Sequence, residues 1–89
     1  MALYSITYDL VKNKDYEKLY RGIKEISNDA WAKPTESQYI IYSENTSEQI
    51  RDFLLNYIDN DDVLFVIKVD GTNWHSKNVK KAVTDWLNS

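Results

Sequence analysis

The sequence predicts an α+β fold, in which an antiparallel sheet carries two helices on one face. Stretches with alternating apolar residues are interleaved with stretches of helical spacing, in the order β-α-β-β-α-β and then a final helix. The 89 residues are enough for one domain with one modest core. We therefore expect a single domain over 1–89, with a core at 1–70 and a C-terminal extension at 71–89.

The first predicted strand runs from Leu3 to Leu10 and has two different faces. One face is apolar and consists of Tyr4, Ile6, Tyr8 and Leu10; the other consists of Ser5, Thr7 and Asp9. Period-two alternation of this kind is typical of a half-buried strand. We expect the apolar face to lie under the helices and the face with Asp9 to point to the other side of the sheet.

Three helices are predicted from apolar spacing and from capping residues. The first runs from about Asp15 to Ser27, and Gly22 inside it indicates close packing. The second begins with a capping box, with Thr46 at the cap and Gln49 three residues on, and it extends to about Ile58. The third is expected to be capped by Ser76 and to end the chain.

The remaining strands are predicted at Ala30–Ala32, Ser37–Ser43 and Val63–Val69, with a turn at 34–36 where Pro34 cannot donate to a central ladder. The resulting order of elements is the ferredoxin-like, or split βαβ, arrangement. The last two of these strands are apolar on both faces, which predicts burial on both sides. The second sheet face should therefore be covered, either by the C-terminal helix or by a second copy of the chain.

Composition limits the classes of function. The net charge is -3, and eight of the fourteen acidic residues lie in the middle third, 29–62, which argues against a dedicated nucleic-acid binder. The chain has no Cys, so thiol chemistry and thiolate metal sites are excluded. Only two glycines occur, and no phosphate-binding glycine loop is present. No signal peptide or membrane span is visible, and we expect a cytoplasmic protein without membrane contact.

Asp9 is the main candidate for chemistry, because a carboxylate at a strand end suits a Mg²⁺ ligand. The alternative is structural: Asp9 accepts backbone N–H groups in the loop that follows. The acidic segment Asp59, Asp61 and Asp62 lacks the glycine and distal glutamate of a calcium loop, and a solvated turn is the better interpretation. His75, the single histidine, has no partner at a motif spacing.

Candidate nucleic-acid contacts come from the basic residues of the first helix and the segment before it. They are Lys12, Lys14, Lys18 and Arg21. Three of them share a helical face, although neighbouring acids favour an ordinary solvated surface. Lys77, Lys80 and Lys81 form a smaller patch near the C-terminus. Trp31 and Trp74 are suited to base stacking, but aromatic residues in a small domain are more often core.

Several segments carry a family resemblance. They are Tyr8-Asp9-Leu10, Tyr16-Glu17-Lys18-Leu19, Trp31, Ser37-Gln38-Tyr39 and the run 61–67. Together they resemble the small CRISPR-associated proteins that act second in the spacer-acquisition pair, and still more their SinR-like relatives. The resemblance covers most of 3–70. It implies a ferredoxin-like fold and a homodimer in which the strand-end aspartate, here Asp9, faces its copy across the two-fold axis.

Two functions from different classes follow, and the sequence leaves both open. In the first, a homodimer binds or cleaves RNA or DNA as a Mg²⁺-dependent endonuclease, with Asp9 as catalytic residue and metal ligand. The cations Lys12, Lys14, Lys18 and Arg21, together with Ser37, which matches the family serine, would then contact nucleic acid. In the second, the homodimer is a non-catalytic adaptor that binds a protein partner. The chain also lacks the dense basic clusters of nucleic-acid-handling members, and it ends in a helix near Trp86 instead of an extra strand.

Overall fold

A computed structural model describes residues 1–11 and 16–89 of the chain. The strands are β1 (Ala2–Asp9), β2 (Trp31–Thr35), β3 (Gln38–Ser43) and β4 (Val63–Val69), and the helices are α1 (Tyr16–Ile26), α2 (Ser47–Leu54) and α3 (Lys81–Asn88). A 3₁₀ turn, Leu55–Tyr57, extends α2. The strands form one antiparallel four-stranded sheet in the spatial order β2-β3-β1-β4, so β1 and β3 are central and β2 and β4 are edges.

The core lies between the sheet and helices α1 and α2. Tyr4, Ile6 and Tyr8 point into it from β1, and Ile6 and Tyr8 are completely buried. The helices contribute Leu19 and Ile23 from α1, and Ile50 and Leu54 from α2. Burial of each such side chain contributes about 1.5–3 kcal/mol. The predicted apolar face of the first strand is confirmed as the face that meets the helices.

Local signals in the two core helices correspond to observed contacts. The Thr46 side chain accepts the N–H of Gln49, and the Gln49 side chain accepts the N–H of Thr46, so the predicted capping box is present. A Cβ added at Gly22 would lie 2.8 Å from Cδ2 of Tyr57. The glycine therefore allows α1 to approach the 3₁₀ turn closely, as the sequence indicated.

Two predicted boundaries are wrong. Pro34 lies inside β2 and not in a turn. Proline is tolerated on edge strands and at bulges, and β2 is an edge strand whose ladder is irregular between Ala32 and Thr35. Ser76 does not cap the third helix: α3 begins at Lys81. Asn78 has a φ of 61°, a left-handed conformation that keeps the helix from starting earlier.

The sheet face opposite α1 and α2, called the open face below, is covered on one side only. Helix α3 packs over the β2–β3 side, where the rings of Trp86 and Tyr42 are 5.1 Å apart and Val83 is buried. On β4, Val63, Phe65 and Ile67 are 54%, 58% and 47% exposed. The expected burial of the last strand on both faces is therefore not met within one chain. We call these three side chains the apolar strip.

Among residues 1–11 and 16–89, no helix is both long enough and apolar enough to cross a membrane.

Candidate functional site

Asp9 is the last residue of β1 and lies exposed on the open face. The strand alternation explains the direction: Tyr8 points into the core, so the next side chain points to the opposite side. Asp9 pairs with Val63 of β4 in the ladder, and Thr7 pairs with Phe65. The carboxylate is thus placed at one end of the sheet, directly beside the apolar strip.

The backbone donors that follow Asp9 bond to other groups. The N–H of Leu10 donates to the hydroxyl of Tyr16 at 3.4 Å, and the N–H of Val11 donates to Oδ1 of Asp62 at 2.9 Å. Within the described part of the chain, no hydrogen bond is made to the Asp9 carboxylate. The purely structural role that the sequence offered for Asp9, accepting the N–H groups of the next residues, is therefore not seen at Leu10 or Val11.

The acidic turn before β4 has a structural function. Asp62 accepts the N–H of Val11 through one carboxylate oxygen, and the N–H of Asp59 through the other at 2.8 Å. It thereby joins the end of β1 to the start of β4. Ligand oxygens of Asp59, Asp61 and Asp62 all lie within 4.8 Å of one another, a spacing compatible with a cation. The sequence predicted a solvated turn. It did not predict that these three carboxylates lie close together, because motif spacing alone does not report it.

Ser37 lies at the same end of the sheet as Asp9. It follows β2 and precedes β3, and its backbone carbonyl accepts the N–H of Tyr8 at 3.1 Å. The hydroxyl of Tyr8 donates to the carbonyl of Glu36 at 3.0 Å. Two hydrogen bonds therefore fix the turn at residues 36 and 37 beside the end of β1.

The basic residues predicted to contact nucleic acid, as far as the structure describes them, lie on a different surface from Asp9. Lys18 and Arg21 are exposed on α1, which packs on the helix side of the sheet, whereas Asp9 points to the open face. Arg21 acts electrostatically on Tyr57, so it is directed toward the 3₁₀ turn. Lys12 and Lys14 lie outside the described residues. The structure places the backbone of Ser37 at the same end of the sheet as Asp9, and it places Lys18 and Arg21 on a different surface.

The structure contains a groove at the opposite edge of the sheet that the sequence did not predict. Two of its lining residues, Trp31 and Lys80, were considered individually in the sequence. It has a volume of about 500 Å³ and lies between β2 and α3. Trp31, Lys33, Lys80 and Trp86 are among its lining residues. Trp31 and Lys80 carried sequence signals, but Lys33 and Trp86 come from distant segments whose approach only the fold reveals.

The arrangement at the Asp9 end can hold a hard cation through oxygen ligands. Carboxylate oxygens are what Mg²⁺ prefers, and the ion usually takes one or two of them with water and substrate phosphate for the rest. Asp9 supplies one such group on the open face.

The fold and the site define a small α+β domain with a four-stranded antiparallel sheet and three helices among the described residues. The chain matches no protein-family model. It also matches no solved structure.

Proposed function

We propose that this chain is a ferredoxin-like homodimer of the CRISPR-associated and SinR-like type, which acts on nucleic acid at its dimer axis. Support for the fold type comes from the β-α-β-β-α-β order and from the central position of β1 and β3 in the sheet. Support for the dimer comes from the apolar strip. A small domain that leaves a valine, a phenylalanine and an isoleucine about half exposed on one edge strand has a surface suited to a partner.

The observation that carries the function is the position of Asp9 next to this strip. Packing of two copies through their open faces, with the two-fold axis at the Asp9 end of β4, would bring the two Asp9 carboxylates close together. Two close carboxylates repel, and a divalent cation between them removes that repulsion. Bound Mg²⁺ would supply activation of water for phosphodiester hydrolysis. The chain itself would supply the two Asp9 oxygens and, from Ser37, a hydroxyl near the scissile phosphate.

A non-catalytic dimeric adaptor is the second candidate, and one observation favours it. Lys18 and Arg21 lie on the helix side of the sheet and not beside Asp9. The acidic turn at 59–62 instead directly precedes Val63, which pairs with Asp9 in the ladder. Negative charge around the site opposes a polyanion, because phosphate binding depends on lysine and arginine contacts. A basic protein partner would meet the same surface without that repulsion.

The test compares two aspartates that lie near each other. Asp9→Asn removes the proposed ligand with little change in shape, and Asp61→Asn removes an equal charge from the acidic turn. Cleavage of single-stranded RNA, single-stranded DNA and duplex DNA is measured with Mg²⁺ and with EDTA. We expect Mg²⁺-dependent cleavage that is lost in Asp9→Asn and kept in Asp61→Asn.

Each other outcome has a defined meaning. Equal activity in both variants would reject Asp9 as the metal ligand. Loss in Asp61→Asn alone would move the metal to the acidic turn. No cleavage by the unmodified protein on any substrate would reject the nuclease and leave the adaptor. A thermal shift on addition of Mg²⁺, seen in the unmodified protein and absent in Asp9→Asn, measures the metal site independently of turnover.

A further inference from the structure

A cavity of about 270 Å³ lies on the open face, between the sheet, the loop after β4 and helix α3. It is at the far end of β1 from Asp9, because Leu3, which lines it, pairs with Val69, whereas Asp9 pairs with Val63. Its volume is close to the lower end of the range of small-molecule sites, about 300–1,000 Å³. The cavity is therefore separate from the proposed Asp9 site and of a size that suits a small ligand.

The floor residues share one face of the sheet. Ser5 in β1 pairs with Ile40 of β3 on one side and with Ile67 of β4 on the other, and all three line the cavity. Tyr4 and Ile6, the chain neighbours of Ser5, belong to the core on the helix side, so Ser5 points to the open face. A short side chain between two isoleucines leaves space above the central strand, and the cavity forms there.

The walls are mainly apolar and carry no positive charge. A Cβ added at Gly71 would lie 2.7 Å from Cδ2 of Leu3, so the loop after β4 passes directly over the start of β1. Trp74 lines the cavity from this loop, and Leu87 lines it from α3. The described residues that line the cavity include no lysine, arginine or histidine, and Asp70 is their single acid. Such walls favour a flat neutral molecule over an anion.

Ser5 and Gln38 form a polar pair in this cavity. Nε2 of Gln38 donates to Oγ of Ser5 at 2.9 Å, and Ser5 is only 6% exposed. A hydroxyl donates one hydrogen bond in addition to those it accepts. Within the part of the chain that the structure describes, no acceptor takes the Ser5 hydroxyl proton, and no donor reaches Oε1 of Gln38. One donor and one acceptor therefore line the cavity without a partner in the chain, and a ligand that bonds to both gains affinity.

We propose that the cavity binds a neutral, flat cyclic amide. The ligand carbonyl accepts the Ser5 hydroxyl, the ligand N–H donates to Oε1 of Gln38, and the ring lies against Trp74. An amide edge carries one acceptor beside one donor, which complements the two unpartnered groups. An apolar cavity of about 150 Å³ holds a benzene ring, so about 270 Å³ suits a fused pair of rings. The site uses neither Asp9 nor Mg²⁺, and it goes beyond the proposed function.

The experiment is a calorimetric titration of the full chain with oxindole, a neutral fused two-ring amide. The comparison ligands are N-methyloxindole, which lacks the N–H, indane, which has a similar shape without polar atoms, and benzoate, which is an anion. We expect oxindole to bind about fivefold more tightly than N-methyloxindole and at least about tenfold more tightly than indane, because each lost hydrogen bond leaves a buried group unpaired. Benzoate should show no saturable binding, because no cation lines the cavity.

Matched variants locate the binding. Ser5→Ala removes the buried hydroxyl, and it should weaken oxindole about tenfold while leaving indane unchanged. Thr7→Val removes an exposed hydroxyl from the same face of β1, outside the cavity lining, and it should leave both affinities unchanged. Gln38→Leu should weaken oxindole about fivefold, and it tests the same polar pair if Ser5→Ala fails to fold. Asp9→Asn should bind oxindole as the unmodified protein does.

The proposal is overturned by any of four results. Three of them are no saturable binding of oxindole, equal affinity for oxindole and indane, and equal weakening in Ser5→Ala and Thr7→Val. The fourth concerns a second copy of the chain, since Ile67 belongs both to the cavity and to the apolar strip. Binding to a monomeric variant such as Phe65→Asp, with none to the unmodified protein, would mean that the second copy fills the cavity in place of a small ligand.

Discussion

The two sides of the open face are built on the same sheet but have different surroundings. On the β2–β3 side, α3 covers the strands, and a groove lies between α3 and β2. On the β4 side, the apolar strip is exposed and ends at Asp9 and the acidic turn. A cavity of about 270 Å³, lined partly by Ile67 and Leu87, separates the two sides.

This difference shows what an apolar pattern specifies and what it leaves open. Strands β3 and β4 both carry apolar residues on both faces, and in each the pattern predicts a cover. For β3 the chain provides its own cover through α3. For β4 it provides none among the described residues, so the free energy of burial remains available to a second molecule. The apolar pattern therefore predicts that a strand face is buried, but it does not predict which segment or molecule buries it.

The largest expected effect tests whether a second copy covers β4. Phe65→Asp places a carboxylate in the middle of the apolar strip. If the strip is the dimer interface, an unpaired buried charge should raise the dimer dissociation constant by at least about a hundredfold. Light scattering over a range of protein concentrations measures the change from dimer to monomer.

The matched control is Leu55→Asp. Leu55 is 52% exposed, close to the 58% of Phe65, but it lies in the 3₁₀ turn on the helix side of the sheet. We expect this variant to remain a dimer. A monomer at all concentrations for the unmodified protein, or equal dissociation of both variants, would contradict an interface at the strip.

The fold was largely predictable because its signals are local. Alternation in β1, the run of apolar residues in β4, helical spacing in α1 and the capping box at Thr46 each specify an element without reference to the rest of the chain. The predictions at Pro34 and Ser76 were wrong because the local structure there depends on strand position and on neighbouring residues. A proline is acceptable in β2 only because that strand is an edge, and the start of α3 depends on the left-handed residue Asn78.

The second prediction compares the same type of change on the two sides of the open face. Trp86→Ala removes a ring that packs on Tyr42, and it should lower the free energy of unfolding by about 2–3 kcal/mol. Phe65→Ala should change it by less than about 0.5 kcal/mol in the monomer, because the ring is already exposed to water. Urea unfolding at protein concentrations below the dimer dissociation constant measures both. A larger loss for Phe65→Ala would mean that the strip is covered within one chain.

The third prediction concerns the helix side, where burial has an electrostatic consequence. Burial raises the pKa of Tyr39 from 10.0 to about 12, and the neighbouring Tyr20 and Glu17 act in the same direction. The folded protein therefore keeps this proton while the unfolded chain loses it. Stability should be complete below pH 10 and fall as the pH rises toward 12.

Tyr39→Phe should reduce that alkaline loss by about 2 kcal/mol, as measured by urea unfolding at a series of pH values. Part of the loss should remain, because burial also raises the pKa of Tyr8. Tyr42→Phe, on the open face, serves as the control. An unchanged pH profile in Tyr39→Phe would show that this tyrosine does not contribute to alkaline unfolding.

The candidate sites were only partly predictable, because they depend on which segments meet. Asp9 was recognisable as a carboxylate at a strand end, and the structure adds the neighbouring apolar strip. The separation of Lys18 and Arg21 from Asp9 follows from the alternation predicted for β1, which places the helices on one side of the sheet and Asp9 on the other. The groove joins residues about fifty positions apart, and no local pattern reports such a contact.

The smallest expected effect is at the capping box of α2, which lies away from both sides of the open face. Thr46→Ala removes one of the two reciprocal hydrogen bonds and should lower the free energy of unfolding by about 1 kcal/mol. Gln49→Ala in the same background should cost less than it does alone, because the two side chains bond to each other's backbone N–H groups. Light scattering should be unchanged in both variants. A change in dimerisation would mean that stability of the helix layer is coupled to the apolar strip, and the two sides of the open face would then no longer be independent of the helices behind them.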